Sequence, residues 1–393
     1  MTANKGRNNK TRENEIIDYI DADMPGNPDD ISQENLIKAD TAMECTTVQN
    51  SATRIQGINN LSQQFSTTVM PNYIEKHMES LLYLASKLSK KSSEEGIALA
   101  RLIANISIQT GEVIEKLVID QMKEMRQVIR YSTECEFQEY CATALAVITR
   151  MSCAIPEVAA ENLAACASAF RDNVANNQNG AFIAAAITAW CLLIEDCDHK
   201  TVTKALELQP VLYQLLRSPV LEVRLSAGEA IAFLHEYVLE NRPSFKFENH
   251  GDVVHALSEM RGLLGKQMSK KAKRLQRTSM GQVYEFVSGG SAPVEIEVRF
   301  GVKYLTLKSF AMKMFYDCCC DVMNGGIDIH LMLNDTFRMA FELKTAPIKC
   351  APVWEEKCEK MKYFGTTEKA RSRQRKRERW NRQYDIYYDY MDY

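Results

Sequence analysis

The chain has 393 residues, 46% of them hydrophobic and 25% charged, with a formal net charge of −3. That is enough apolar material for a real core over two or three domains. The slightly acidic total excludes a uniformly basic nucleic-acid coat, so affinity for nucleic acid has to come from local clusters.

Residues 1–31 carry Asn, Lys, Arg, Asp and Pro with few large apolar groups, and they are expected to form a disordered arm because they cannot bury enough surface to offset ordering. The first nine residues lack the apolar core of a leader, and no run approaches the roughly 18 apolar residues that cross a bilayer, so an intracellular chain with no membrane partner is expected. The twelve cysteines mostly sit inside apolar helical patterns without disulfide spacing and read as reduced thiols.

From Asn35 onward apolar residues recur at three- and four-residue spacing over segments long enough to be helices, as in Ile74-Met78-Leu81-Leu82-Ala85-Leu88 and Val113-Leu117-Ile119-Met122-Met125-Val128-Ile129. Small-then-apolar cores recur at Gly57-Ile58, Ala100-Arg101-Leu102-Ile103, Ala144-Leu145-Ala146-Val147, Ala186-Ile187-Thr188-Ala189 and Ala230-Ile231-Ala232-Phe233, and their first residues lie 43, 44, 42 and 44 positions apart. That period matches HEAT or armadillo helix pairs of roughly 40 to 47 residues, in which small side chains let neighbouring units stack closely. Pro71, Gly111, Pro156, the loop at 176–180, Pro210 and Pro219 punctuate the pattern, and Pro156-Glu157 reads as a helix start. A helical-repeat solenoid over 32–264 is therefore predicted, the alternative being an irregular helical bundle.

Pro243 and a polar run break the pattern, Val253 to Leu264 reads as one more helix, and a boundary is placed near 265. Residues 265–345 are expected to hold a basic entry segment and a small α+β domain. Lys270, Lys271, Lys273, Arg274 and Arg277 form the first basic cluster, followed by the helix-like Val283-Tyr284-Phe286-Val287. Val294-Ile296-Val298-Phe300 alternates at period two and Tyr304 to Leu307 resumes after Gly301, which predicts an antiparallel strand pair. Phe310 to Met323 is predicted helical and ended by Gly325-Gly326, with a second short helix over Asp335 to Leu343. Residues 346–393 are read as a linker, a basic helix and an acidic, tyrosine-rich end.

That last region holds the densest charge. Lys369, Arg371, Arg373, Arg375, Lys376, Arg377, Arg379 and Arg382 place eight positive charges within 14 residues, opposed only by Glu378. Such a segment repels itself when free and becomes ordered as it exchanges condensed counterions for RNA phosphates. Six arginines to two lysines favour planar, bidentate phosphate contacts, and Trp380 is placed to stack on a base. A nuclear-localisation signal or a solvated run gives the same density.

Catalytic signatures are not found, so no catalytic residue, cofactor, metal or small-molecule substrate is expected. Gly289-Gly290 lacks the Gly-Lys-Ser/Thr of a phosphate-binding loop. Cys318-Cys319-Cys320 point about 100° apart on a helix and are assigned to packing. Cys191, Cys197 and His199 lack zinc-ligand spacing. His255 and Glu259 read as a surface pair, and His77, His235 and His330 as ordinary helix or interface histidines.

The blocks Val223-Arg224-Leu225-Ser226-Ala227-Gly228-Glu229-Ala230 and Lys271 to Arg277, together with a block that runs without gaps from Phe300-Gly301 to Phe341-Glu342-Leu343 and includes Tyr316-Asp317, Gly326, His330-Leu331, Asn334, Phe337, Arg338 and Phe341, resemble the interferon-related developmental regulator family, as does Lys369-Ala370-Arg371-Ser372-Arg373. The resemblance covers roughly 35 to 382 and is concentrated after about 220. It implies a HEAT/armadillo-like scaffold, not an enzyme, that binds translationally idle eukaryotic ribosomes through rRNA and ribosomal proteins, its body in the P- and E-site region and its basic C-terminal helix in the mRNA channel. It also implies an alternative, a nuclear transcriptional co-regulator whose concave face binds protein partners. A cytoplasmic location follows from the first and a nuclear one from the second. The tyrosine-rich terminus and the short N-terminal arm depart from the family pattern.

Overall fold

Local chemistry sets most of the helix starts in the computed structural model, which describes residues 33–172, 179–240, 242–262, 269–289, 294–301 and 303–344. After α1 (Gln33–Thr46), the Asn50 side chain accepts from the backbone N–H groups of Ala52 and Thr53 and opens α2 (Ser51–Thr67). Pro71 occupies the first turn of α3 (Pro71–Leu84), Ser92 caps α4 (Ser93–Thr110), and Gly111 ends α4 at φ +59°. Then follow α5 (Glu115–Tyr131), α6 (Cys135–Ser152), α7 (Pro156–Arg171, Pro at its start), α8 (Gly180–Ile194), α9 (His199–Leu206), α10 (Gln209–Leu215), α11 (Leu221–Leu239), α12 (His250–Gly262) and α13 (Lys270–Val287).

The fold is mainly α and repeat-like. The five recurring small-then-apolar cores fall on α2, α4, α6, α8 and α11, and these helices pack consecutively side by side, with α13 continuing the row. Their partners α3, α5, α7, α10 and α12 back the row, and α1 packs on α2. Ala100, Ala144, Ala186 and Ala230 are almost fully buried, so small residues sit where helices approach most closely. Of the most apolar 18-residue window within Ser93–Tyr131, 78% is buried in this packing, which marks core helices.

The strand pair forms as predicted: β1 (Ile296–Phe300) and β2 (Lys303–Leu307) are antiparallel, with Ile296 opposite Leu307 and Phe300 opposite Lys303, and Gly301 turns between them at φ +57°. The helix over Phe310–Met323 (α14) is as expected, ended by Asn324 in the left-handed region ahead of the two glycines. Three expectations need correction. The basic segment and the helix-like run after it are one continuous helix, α13, capped by Ser269. Residues 327–333, not assigned a helix from sequence, form α15 (Ile327–Leu333), because Gly326 at φ +80° turns the chain and Ile327 and Leu331 are buried at once. The last helix, α16, is shorter than predicted, Asp335–Ala340, with Asn334 as its cap.

The boundary placed near 265 separates no independent body, since residues 33–346 form one compact unit. Instead of standing apart, α14 crosses α2, α4, α6, α8 and α11, while α15 lies on α2 and α16 on α4. The C-terminal segment thus covers a face of the repeat row. The arm over 1–31 and residues 345–393, with the tail basic cluster, lie outside the described residues.

Gly326 is the tightest point of this docking. A Cβ there would lie 1.8 Å from the Ser66 carbonyl oxygen, at a positive φ that side chains rarely adopt. Gly326→Ala should lower unfolding free energy by about 3 kcal/mol or more. Gly251→Ala, in α12 with nothing within 4 Å, should leave it unchanged or raise it by up to about 1 kcal/mol. Chemical denaturation of the two variants checks the contrast, and equal stabilities would refute the close approach.

Candidate nucleic-acid interface

The described part of the predicted site is the N-terminal half of α13. Lys270, Lys273, Arg274 and Arg277 recur at helical spacing and line one stripe, with Lys271 beside it. Lys270, Lys271, Arg274 and Arg277 are exposed and Lys273 is half-buried, whereas Leu275, Gln276, Ser279, Met280, Val283, Phe286 and Val287 face the core. The two lysines that open the helix stand at the positive end of its dipole, where cations are disfavoured by roughly 0.3–1 kcal/mol each. The first turn has no acidic residue to offset them. A polyanion laid along this stripe would remove that penalty.

The stripe is held rigidly from below. Arg224 of α11 donates to Gln276 Oε1 at 2.9 Å and to the Ser218 and Pro219 carbonyls, while Gln276 donates to the Met260 carbonyl at 2.7 Å. Desolvation pushes the Arg224 guanidinium below its ordinary range. Gly228 lets α13 approach, since a Cβ there would meet the Met280 methyl at 2.7 Å. Glu229 Oε1 accepts from Ser279 on α13 at 3.2 Å and from Lys313 on α14 at 3.1 Å. Further along the same helix, Glu236 Oε2 accepts from the Phe310 N–H at 2.8 Å and closes the start of α14. The block from Val223 to Ala230 is therefore the platform on which α13 and α14 sit.

None of the other residues singled out from sequence joins this stripe among the described residues. Lys369, Arg371, Arg373, Arg375, Lys376, Arg377, Arg379, Trp380 and Arg382 lie outside the described residues. His255 and Glu259 are a surface pair at 3.6 Å, and Cys318 and Cys319 are packed in the core, where burial raises their thiols well above the ordinary range. His235 is buried against Phe245, Phe247, His250 and Phe286. His77 stacks near Tyr73, and His330 binds the Phe65 carbonyl. Lys87, Lys90 and Lys91, three lysines within five residues, were not singled out from sequence; their density was visible, but not the ordered turn that gathers them.

The described residues thus form a mainly helical, repeat-like scaffold that carries a basic stripe on α13. The family model described as "Interferon-related developmental regulator (IFRD)" matches residues 9–288, and the chain belongs to that family. Among its relatives, interferon-related developmental regulator 2 of Mus musculus is 28% identical over 372 residues, covering 88% of this chain and 83% of the relative. Interferon-related developmental regulator 1 of Homo sapiens is 24% identical over 329 residues, covering 79% and 72%. The matched span runs through the repeats, where the resemblance was weakest to the eye, and stops short of the block after Phe300. A crystal structure of an engineered protein aligns with a TM-score of 0.42 at 20% identity, over 64% of this chain and 97% of the other, too loose a likeness to argue from.

Burial pushes the Glu236 carboxyl up to about 7 from 4.5, against the lowering effect of the Phe310 and Ala311 N–H groups. A carboxyl raised on folding contributes stability that is complete below its unfolded value and lost as pH rises through the folded one. Glu236→Gln mimics the protonated form at every pH. The unfolding free energy of the wild type relative to this variant should therefore fall by on the order of 2–3 kcal/mol between about pH 4.5 and pH 8. His330, held down at about 4 by burial, titrates in the opposite sense but is common to both chains and cancels. A difference curve flat across this range would refute the buried, proton-holding cap.

Proposed function

We propose that this chain binds translationally inactive ribosomes, its repeat body in the P- and E-site region and its basic C-terminal segment in the mRNA channel, so that occupancy excludes mRNA and tRNA and preserves the idle particle. The observation that carries this reading is the charge pattern: eight cations in 14 residues near the C-terminus, and a rigid cationic stripe on α13, in a chain whose total is −3. Affinity built this way is local, directional and salt-dependent, as binding to an rRNA-walled site requires. The proposed partners are rRNA and ribosomal proteins, the proposed location is cytoplasmic, and no catalytic role is proposed.

The co-regulator reading asks for a concave helical face open to protein partners. Here the C-terminal segment itself lies over α2, α4, α6, α8 and α11, with Phe310, Leu331, Phe337 and Phe341 buried against the molecule. A partner using the face that this segment covers would first have to displace it.

The full chain should co-sediment with monosomes rather than polysomes in sucrose gradients. Reversing Arg373, Arg375, Arg377 and Arg379 to glutamate should weaken ribosome binding. The slope of log affinity against log salt should fall by about 0.7–0.9 for each phosphate that is no longer neutralised. Replacing Lys270, Lys273 and Arg277 by alanine should act in the same direction more weakly. Undiminished affinity in the glutamate variant would remove the mRNA channel from the mechanism.

A further inference from the structure

Between α2, the end of α3 and the start of α4 lies a cleft of about 370 Å³ lined by Arg54, Tyr83, Lys87, Lys90, Lys91 and Glu95. Its floor is fixed. Glu95, only 4% exposed, accepts from Arg54 Nε at 2.9 Å and Nη2 at 2.8 Å, and from Lys91 Nζ at 2.9 Å. The Arg54 hydrogen bond, more than the lysine, holds this carboxyl below its usual range, so it stays ionised. Arg54 also donates from Nη1 to the Val48 and Gln49 carbonyls, so four of its five N–H donors are engaged.

The rim is different. Lys87 and Lys90 are exposed, and their ammonium groups have no hydrogen-bond or ion-pair partner among the described residues. Lys87 stands at φ +58°, in the left-handed position after a helix where glycine costs least, and this turn brings Lys87, Lys90 and Lys91 together. The turn is ordered: Leu88 is fully buried and the Ser89 N–H donates to Glu124 Oε2 at 3.1 Å. Tyr83 stands beside it with 78% of its surface exposed. Arg54 and Lys91 thus neutralise the buried Glu95, the Glu124 carboxylate is held by Ser89, and the ammonium groups of Lys87 and Lys90 are presented near an unburied aromatic ring.

We propose that this cleft is a second RNA-binding site, taking a backbone phosphate between Lys87 and Lys90 and an unpaired base on the face of Tyr83. Ammonium groups with free donors are what a phosphate needs, and an exposed ring beside them suits a splayed base of single-stranded or looped RNA. Arg54, consumed by Glu95 and two carbonyls, positions the floor and does not touch the ligand. The site lies at the first stacked helix and the α13 stripe at the sixth. Five steps of 8–10 Å separate them by roughly 40–50 Å, so the scaffold would grip RNA at both ends of its row. This inference rests on the ribosome-binding reading for its partner, but not for its chemistry.

The test uses the full chain with two probes, purified eukaryotic ribosomes and a short oligouridylate containing 4-thiouridine. Ultraviolet cross-linking followed by peptide mapping should place the oligonucleotide on residues 83–91. Lys87→Ala with Lys90→Ala should lower the salt slope for the oligonucleotide by about 0.7, for the one phosphate that is no longer neutralised on a single strand. Tyr83→Ala should weaken binding about fivefold or more, and Tyr83→Phe should restore it. Because all three positions are exposed, melting temperatures should match the wild type, which separates a weakened surface from an unfolded chain. If ribosome affinity drops in these variants while oligonucleotide binding and cross-links are unaffected, the surface meets protein and the RNA assignment is overturned. Wild-type behaviour with both probes overturns it too. If the oligonucleotide effects are seen but the wild type does not bind ribosomes, this site stands and the ribosome-binding reading falls.

Discussion

The C-terminal segment is seated on the repeat row by one buried polar network, and its hydrogen-bond directions can be assigned completely. The Phe65 carbonyl, near the end of α2, accepts from Gln109 Nε2 at 2.6 Å and lies 3.0 Å from His330 Nε2. Because a carbonyl only accepts, that ring nitrogen carries the proton and Nδ1 is the acceptor for Asn334 Nδ2 at 3.0 Å. Asn334 also donates to the Ile108 carbonyl at 2.9 Å and accepts from the Phe337 N–H at 3.2 Å. The neutral imidazole this requires agrees with a pKa pushed down to about 4 by burial. Groups left unsatisfied at this depth would cost about 1–3 kcal/mol each, so the network tolerates one register of the segment and rejects its neighbours.

That seating changes how the repeats hold together. A solenoid alone is stabilised by contacts between neighbours and can fray from either end. Here α14 touches five helices of the row, and α15 and α16 return to α2 and α4, so the first and fifth units share a common strap. Phe310, Phe337 and Phe341 are almost wholly buried, each contributing on the order of 1.5–3 kcal/mol by burial. Lys313, nearly buried, ties the strap to Glu229 and so to α13 through Ser279. Rigidity at the basic stripe is therefore supplied in part by a separate helix, reached only after the strand pair.

The period of 42 to 44 residues was legible because close helix packing demands alanine or glycine at repeated places, and the strand pair because period two is hard to imitate. What could not be read were distances. His330 and Phe65 are 265 positions apart, and nothing local to either predicts the contact. The continuity of α13 was hidden by its first turn, which carries lysines where helices ordinarily place acids. The sharpest resemblance block, from Gly326 to Phe341, turned out to serve docking of the chain onto itself, so motif specificity there marked architecture. The lysines at 87, 90 and 91 show the reverse: plain in sequence, they acquire meaning only once a left-handed turn and a buried Glu95 order them.

Near the basic surfaces several acids are drawn inward. Glu95, Glu229 and Glu236 are drawn inward, each paired with an arginine, a lysine or a helix start, and there they cannot repel an approaching polyanion as strongly as exposed carboxylates would. The cations of α13 and of the 87–91 turn are left largely at the surface, where water and salt screen them. A chain with more acidic than basic residues can in this way present basic surface at chosen points. A polyanion would be attracted at those points rather than over the whole surface, so the placement of the basic surfaces, more than the total charge, would set its orientation.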